Sequence, residues 1–271
     1  PAWERFIAPH RRVWVPVFEE ARSRATTTQD LTNMLHARRV ELGVPRLVAQ
    51  YFEIHPYAEP EEVEGIHFVP VCGGSFRAGS ADGRDNERPV HEVVLAPYRI
   101  SRFPITVGQY LRFRAESGRG REPARWGDKD WAPRRPVTGV SWHDARAFCS
   151  WLAERTGLDV DLPTEAQWEL AATGGDGRLW PWGSAPPTEQ LAVFGAKNGG
   201  PGLVGGRPAG VSPFGVHDLA GNVWEWCSDW YDDATYLGRD GLEDPAGPGA
   251  GARKVLRGGC FTSAAARIRC A

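Results

Sequence analysis

The stretch DLAGNVWEWCSDWY, from Asp218 to Tyr231, sets Asp218, Glu225 and Asp229 among Trp224, Trp226 and Trp230. Indole rings want burial and unpaired carboxylates resist it, so each acid here needs its own partners. Sulfur is the second source of chemistry. The five cysteines, Cys72, Cys149, Cys227, Cys260 and Cys270, are odd in number and scattered singly. Without CxxC pairs they argue against a disulfide framework or a zinc ribbon, and read as reduced, mostly buried thiols. The seven histidines include no pair at i, i+4, so no single helix can offer two imidazoles to an iron ion.

The elements that must position these residues fall into two regions. Residues 1–60 read as a helical prefix, an adaptor ending in a linker. Trp14, Val17, Phe18 and Ala21 recur at helical spacing, Thr27 with Asp30 gives a capping signal, and Pro45 can open a third short helix. Residues 61–271 read as one α+β domain of short strands, glycine turns and isolated helices. The run FVPVCGGSFRAGS predicts a hairpin about Gly73 and Gly74, and EVVLAPYRISRF continues with strand-like alternation. Three helices announce themselves by capping boxes: Thr106 with Gln109, Ser141 with Asp144, and Thr164 with Gln167. Gly157 stands where a C-terminal cap belongs. Between Gly174 and Gly215 no period persists, and so long a loop needs pinning by ions, aromatic anchors or neighbouring loops.

Composition narrows the classes of function. Over 271 residues, 32 Lys and Arg are interspersed with 34 Asp and Glu to a net charge of −2, which leaves no surface for tracking nucleic acid. No apolar run approaches the roughly 20 residues of a membrane-spanning helix. The chain reads as soluble, with the cytoplasm favoured.

Four runs, PVTGVSWHDARAFCSWLAERTG, DLPTEAQWELAATGGDGRLWPWG, FGVHDLAGNVWEWCSDWY and VLRGGCF, resemble in order and spacing the formylglycine-generating enzyme family, the sulfatase-modifying factor domains. The resemblance extends from about Ile66 to Ala271 and implies a variant of the C-type lectin fold. It also implies a structural calcium ion held by the side chains of Asp218 and Glu225 and the backbone carbonyls of Gly221 and Val223. The hard oxygen set suits calcium. Trp224 and Trp226, alternating with Glu225, are then expected to point into the core. At a second calcium position of the family this chain has Val193, so no second ion is expected.

Members that oxidise cysteine hold copper(I) with two cysteines shortly after the Arg-Gly-Gly turn, because a soft ion wants converging thiolates. Here RGGCFTSAAARIRCA offers Cys260 in the place of a serine and Cys270 in an Arg-Cys-Ala element common to catalytic and other members. Both read as structural thiols, and no catalytic residue is assigned. The HxxxHxE element of the related iron-dependent sulfoxide synthases is missing as well.

The resulting expectation is a non-catalytic module that binds a protein or other macromolecule through its C-terminal face. That face comprises Phe261, Thr262, Ser263, Ala264, Ala265, Arg267 and Trp230, with residues 1–60 contacting a partner domain or subunit. Variable proteins of diversity-generating retroelements are one such kind of member, and every residue of FTSAAARIRCA is reachable by changing the adenines of an AAC codon. Two alternatives stay open: a copper-dependent oxidoreductase acting on cysteine, and a structural subunit of a larger assembly. Relatives close with a Gly-Phe-Arg strand, so the domain is expected to lack its final strand.

Overall fold

The computed structural model describes residues 61–124, 132–197, 199–233, 236–237 and 240–271. The helices expected in 1–60 lie outside the described residues. Among the described residues the domain has eight short strands and three α-helices. β1 (Glu61–Val63), β2 (Ile66–Val71) and β5 (Tyr98–Ser101) form an antiparallel sheet in the order β1-β2-β5. A second sheet sets β3 (Gly74–Ala78) antiparallel to β4 (His91–Leu95), with β7 (Leu242–Glu243) parallel to β4 on its far side. β6 (Glu225–Trp230) and β8 (Lys254–Arg257) form a two-stranded antiparallel ladder.

The expected hairpin at Gly73 and Gly74 is not formed: β2 and β3 belong to different sheets. The two glycines instead redirect the chain between sheets. Gly73 has φ +67°, and a Cβ there would lie 2.4 Å from the carbonyl oxygen of Leu95, so only glycine passes this close to the neighbouring strand.

The three helices carry their starts and stops in their own sequence. In α1 (Val107–Ser117), α2 (Trp142–Thr156) and α3 (Glu165–Thr173), both halves of the capping box are made. At α2 the Ser141 hydroxyl accepts from the Asp144 N–H at 3.3 Å, and the Asp144 carboxylate accepts from the Ser141 N–H at 2.8 Å. Gly118, Gly157 and Gly174 close the helices in the left-handed conformation. Ser141→Ala removes one side of the α2 box and is expected to cost about 1 kcal/mol. An unchanged denaturation midpoint for that variant would show that packing alone sets the start of α2.

Packing gathers into clusters. β2 to β5 and α3 close over Trp168, Phe214, Leu219, Cys227 and Val255, all buried. α1 and α2 build an aromatic cluster of Tyr110, Phe113, Phe148 and Trp151 over Ile66. Its rings approach at centroid distances of 5.4 to 6.3 Å, mostly tilted or edge-on, as ring quadrupoles prefer. The long loop after α3 is pinned by a third, smaller cluster. Trp180 and Trp182 stack at 6.1 Å against Ala192, Ala220 and Ile268, the aromatic anchoring that the sequence called for.

One polar group is driven through the centre. Glu169 of α3 is 2% exposed and pairs with Arg257 of β8, 9% exposed. The second carboxylate oxygen accepts from the Gly79 N–H at 2.7 Å, and Arg257 also donates to the Cys270 carbonyl at 3.0 Å. Burial pushes Glu169 upward while Arg257 and the Gly79 N–H oppose it. One pair thereby ties α3, β8, the turn after β3 and the C-terminal segment together.

Among the described residues, no helix is long and apolar enough to cross a membrane.

Candidate functional site

β6 settles the opening conflict between acids and indoles by parity. Val223, Cys227 and Asp229 are buried, and Glu225 shares their face, whereas Trp224, Trp226 and Trp230 lie on the other. The expected period of two is present, but with the opposite orientation. Trp224, expected in the core, is 40% exposed. The acids turn inward because donors await them there. Asp229 accepts from the Glu165 N–H at 2.8 Å, at the positive N-terminus of α3, and Glu225 accepts from Trp168 Nε1 at 2.7 Å.

Two of the outward indoles, Trp226 and Trp230, are partnered too. Trp226 Nε1 donates to the Val140 carbonyl at 3.2 Å and Trp142 Nε1 to the Cys227 carbonyl at 2.9 Å. The ammonium of Lys254 lies 4.0 Å from the Trp142 ring centre and 3.8 Å from that of Trp230, a cation lodged between two π faces.

The turn before β6 has the features of a cation cradle. Asp218, Gly221 and Asn222 all take left-handed conformations, at φ 62°, 79° and 58°. The Asp218 carboxylate accepts from the Gly205 N–H at 2.7 Å. Gly221 and Val223 are buried, yet among the described residues no hydrogen bond is donated to either carbonyl oxygen. Buried carbonyls without donors are rare and ask for another partner. Burial and then the neighbouring Asp218 charge push Glu225 up to about 8 despite the Trp168 N–H, and burial raises Asp218 as well. Two crowded acids beside two open carbonyls fit a hard divalent cation such as calcium. Among the described residues no cluster of three or more His, Cys, Asp or Glu side chains is poised for a metal, so this cradle depends on the backbone oxygens.

The position of Val193 is occupied by structure. Its carbonyl accepts from the Asn222 N–H at 2.8 Å and its backbone bridges to Gly221.

Burial divides the segment after Gly259 into two sets. Phe261 and Ser263 are each 8% exposed, so these two of the named residues are not surface groups. Phe261 N–H donates to the Asn222 carbonyl at 2.9 Å, its own carbonyl accepts from Ala196 at 2.8 Å, and Ser263 O accepts from Gly195 at 2.9 Å. They staple the segment to the Asp218–Val223 turn and to the long loop. Thr262, Ala264 and Arg267 are exposed, Ala265 and Trp230 are half-buried, and Ala266, which the sequence reading passed over, is exposed as well.

The two C-terminal cysteines have different surroundings. Cys270 is fully buried, and burial pushes its thiol far above the usual range. Cys260 is only half-buried, which corrects the expectation of a buried thiol there. Its sulfur lies 3.3 Å from Thr262 Oγ1 and 3.5 Å from Ser263 Oγ; burial raises its pKa, but these hydroxyl contacts outweigh burial and bring it below the ordinary value.

Two concavities flank β6. The larger, about 730 Å³, is the seam between the two main clusters, walled largely by core side chains such as Ile66, Phe148 and Leu152. The smaller, about 120 Å³, lies along β8 and combines Trp224, Trp230 and Leu256 with Arg84, Arg257, Arg267 and Arg269. No sequence pattern signals it, since its walls come from five separate stretches of chain.

A family model described as the sulfatase-modifying factor enzyme 1-like domain matches residues 55–271. The serine/threonine-protein kinase pkn1 of Chlamydia caviae is 35% identical over 248 residues, covering 83% of this chain and 38% of that protein. The chain thus spans well under half the length of that relative. The formylglycine-generating enzyme of Streptomyces coelicolor is 33% identical, with 76% of this chain and 81% of the relative covered. Among solved structures, Treponema denticola variable protein 1 superposes with a TM-score of 0.63 at 25% identity, covering 78% of this chain and 90% of that one. The capping-box helices, the Asp218–Val223 turn and the Arg-Gly-Gly segment all lie within the matched region, and the chain belongs to the sulfatase-modifying factor enzyme 1-like domain family.

Proposed function

We propose that the chain is a non-catalytic binding module whose C-terminal face meets a protein partner on a scaffold pinned by calcium. The observation that carries this reading is the placement of Cys260 and Cys270: one half-buried among hydroxyls, the other enclosed in the core beside Arg257. Copper(I) chemistry on a substrate cysteine needs two thiolates converging on one ion, and soft-ligand logic finds no such pair in these surroundings. The exposed set Thr262, Ala264, Ala266 and Arg267 on a stapled backbone supports a contact surface, as does the likeness to a variable protein. Diversification by a retroelement is the finer form of the same reading.

Calcium, held by Asp218, Glu225 and the carbonyls of Gly221 and Val223, would neutralise the two acids and satisfy the open oxygens. Residues 1–60 would connect the module to a partner domain or subunit.

The test is chemical. The protein is incubated with a cysteine-containing peptide, copper, oxygen and a thiol reductant, and the peptide is analysed by mass spectrometry. The expected result is unmodified peptide. Time-dependent conversion of the cysteine to an aldehyde would overturn the reading in favour of an oxidoreductase.

A further inference from the structure

We propose that the pocket along β8 receives an acidic side chain from a protein partner, an inference that rests on the binding-module reading above. The size of the pocket sets the size of the guest. Its volume of about 120 Å³ is well below the roughly 300–1,000 Å³ of small-molecule sites. It is closer to a cavity that holds one benzene ring, about 150 Å³. A single side chain projecting from a larger partner fits this space, and a free cofactor does not.

Charge sets the chemistry. Arg84 and Arg267 are exposed on its rim, and neither has an ion-pair partner among the described residues. Arg257 and Arg269 line it as well, paired with Glu169 and Glu87. Both retain a buried Nε that has no hydrogen-bond partner among the described residues. The acids on the walls are Glu165, 3.8 Å from Arg257, then Glu87 on Arg269, and Asp232. The two rim guanidiniums are therefore left to meet an incoming anion, and their planar forks match a carboxylate.

Apolar side chains set the shape. Leu256 and Trp224, 38% and 40% exposed, flank the pocket and suit apolar residues on either side of the acid. The guest read from these walls is an acidic residue with apolar neighbours.

The experiment uses the full chain. Binding of a blocked Ala-Val-Glu-Val-Ala peptide is followed by tryptophan fluorescence and calorimetry, beside its Gln and phosphoserine counterparts. The Glu peptide is expected to bind in preference to both counterparts, with affinity falling as salt is raised. The double variant Arg84→Ala/Arg267→Ala should bind about tenfold more weakly, the scale of one lost charged hydrogen bond, with its thermal midpoint unchanged. Arg267→Glu should shift preference toward a counterpart peptide with Lys in place of Glu. Equal binding of the Gln peptide, unchanged affinity in the double variant, preference for the phosphoserine peptide, or a strand of the same polypeptide filling the pocket would each overturn the proposal. None of these outcomes bears on the aldehyde assay, so the inference and the module reading fail separately.

Discussion

Arg257→Leu is expected to cost about 3–5 kcal/mol of folding stability, read as a fall in the denaturant midpoint at constant m-value. The cause is the partner left behind. Glu169 is 2% exposed on α3, and without the guanidinium its charge keeps only the Gly79 N–H. Its carboxyl, already pushed upward by burial, then rises further. A carboxyl whose folded pKa lies above its unfolded value favours the folded state when protonated, so the variant's deficit should shrink in acid and grow as pH rises. Adding Glu169→Leu should recover much of the loss, because a well-packed apolar pair replaces a buried ion pair at little cost. A double variant as unstable as the single one would show that the damage is a packing void at β8, with the charge irrelevant.

Removing calcium is expected to lower stability by roughly 3 kcal/mol, the effect of an ion at about a hundred times its dissociation constant. For a domain of this size that is a drop of roughly 6 to 12 °C in thermal midpoint. The pH dependence adds a signature. In the ion-free protein burial and Asp218 raise Glu225 to about 8, so that protein is stable in acid and loses stability as pH climbs toward 8. Each pH unit across that range contributes up to about 1.4 kcal/mol. Bound calcium would hold both acids ionised, so its stabilising effect should widen with pH. Glu225→Gln should abolish the calcium response while leaving an oxygen for the Trp168 N–H. Equal midpoints with chelator and with calcium across this pH range would remove the ion from the account of the fold.

Legibility in the sequence followed the range of the interactions. The helix boundaries at Thr106, Ser141 and Thr164 could be read because a capping box is contained within four residues. The hairpin at Gly73 was misread because a glycine pair states that the chain turns, not which strand it next meets. The close approach of Gly73 to Leu95 is a contact 22 residues away. The parity of β6 was inverted for a related reason. Hydrophobicity ranks tryptophan inside and aspartate outside, but Asp229 is bound by the N-terminus of α3 and Glu225 by Trp168, donors 64 and 57 residues away. The C-terminal face was found as a segment, while its division between stapled and exposed residues needed the partners Asn222, Gly195 and Ala196. The arginine pocket has no linear signature at all.

The stapling of the segment after Gly259 has a practical consequence for engineering. Phe261, Ser263, Ile268 and Cys270 hold the backbone, while Thr262, Ala264, Ala266 and Arg267 project between them without carrying the fold. A combinatorial library that randomises only the second set keeps one backbone shape, so its clones differ in surface chemistry and hardly in folding yield.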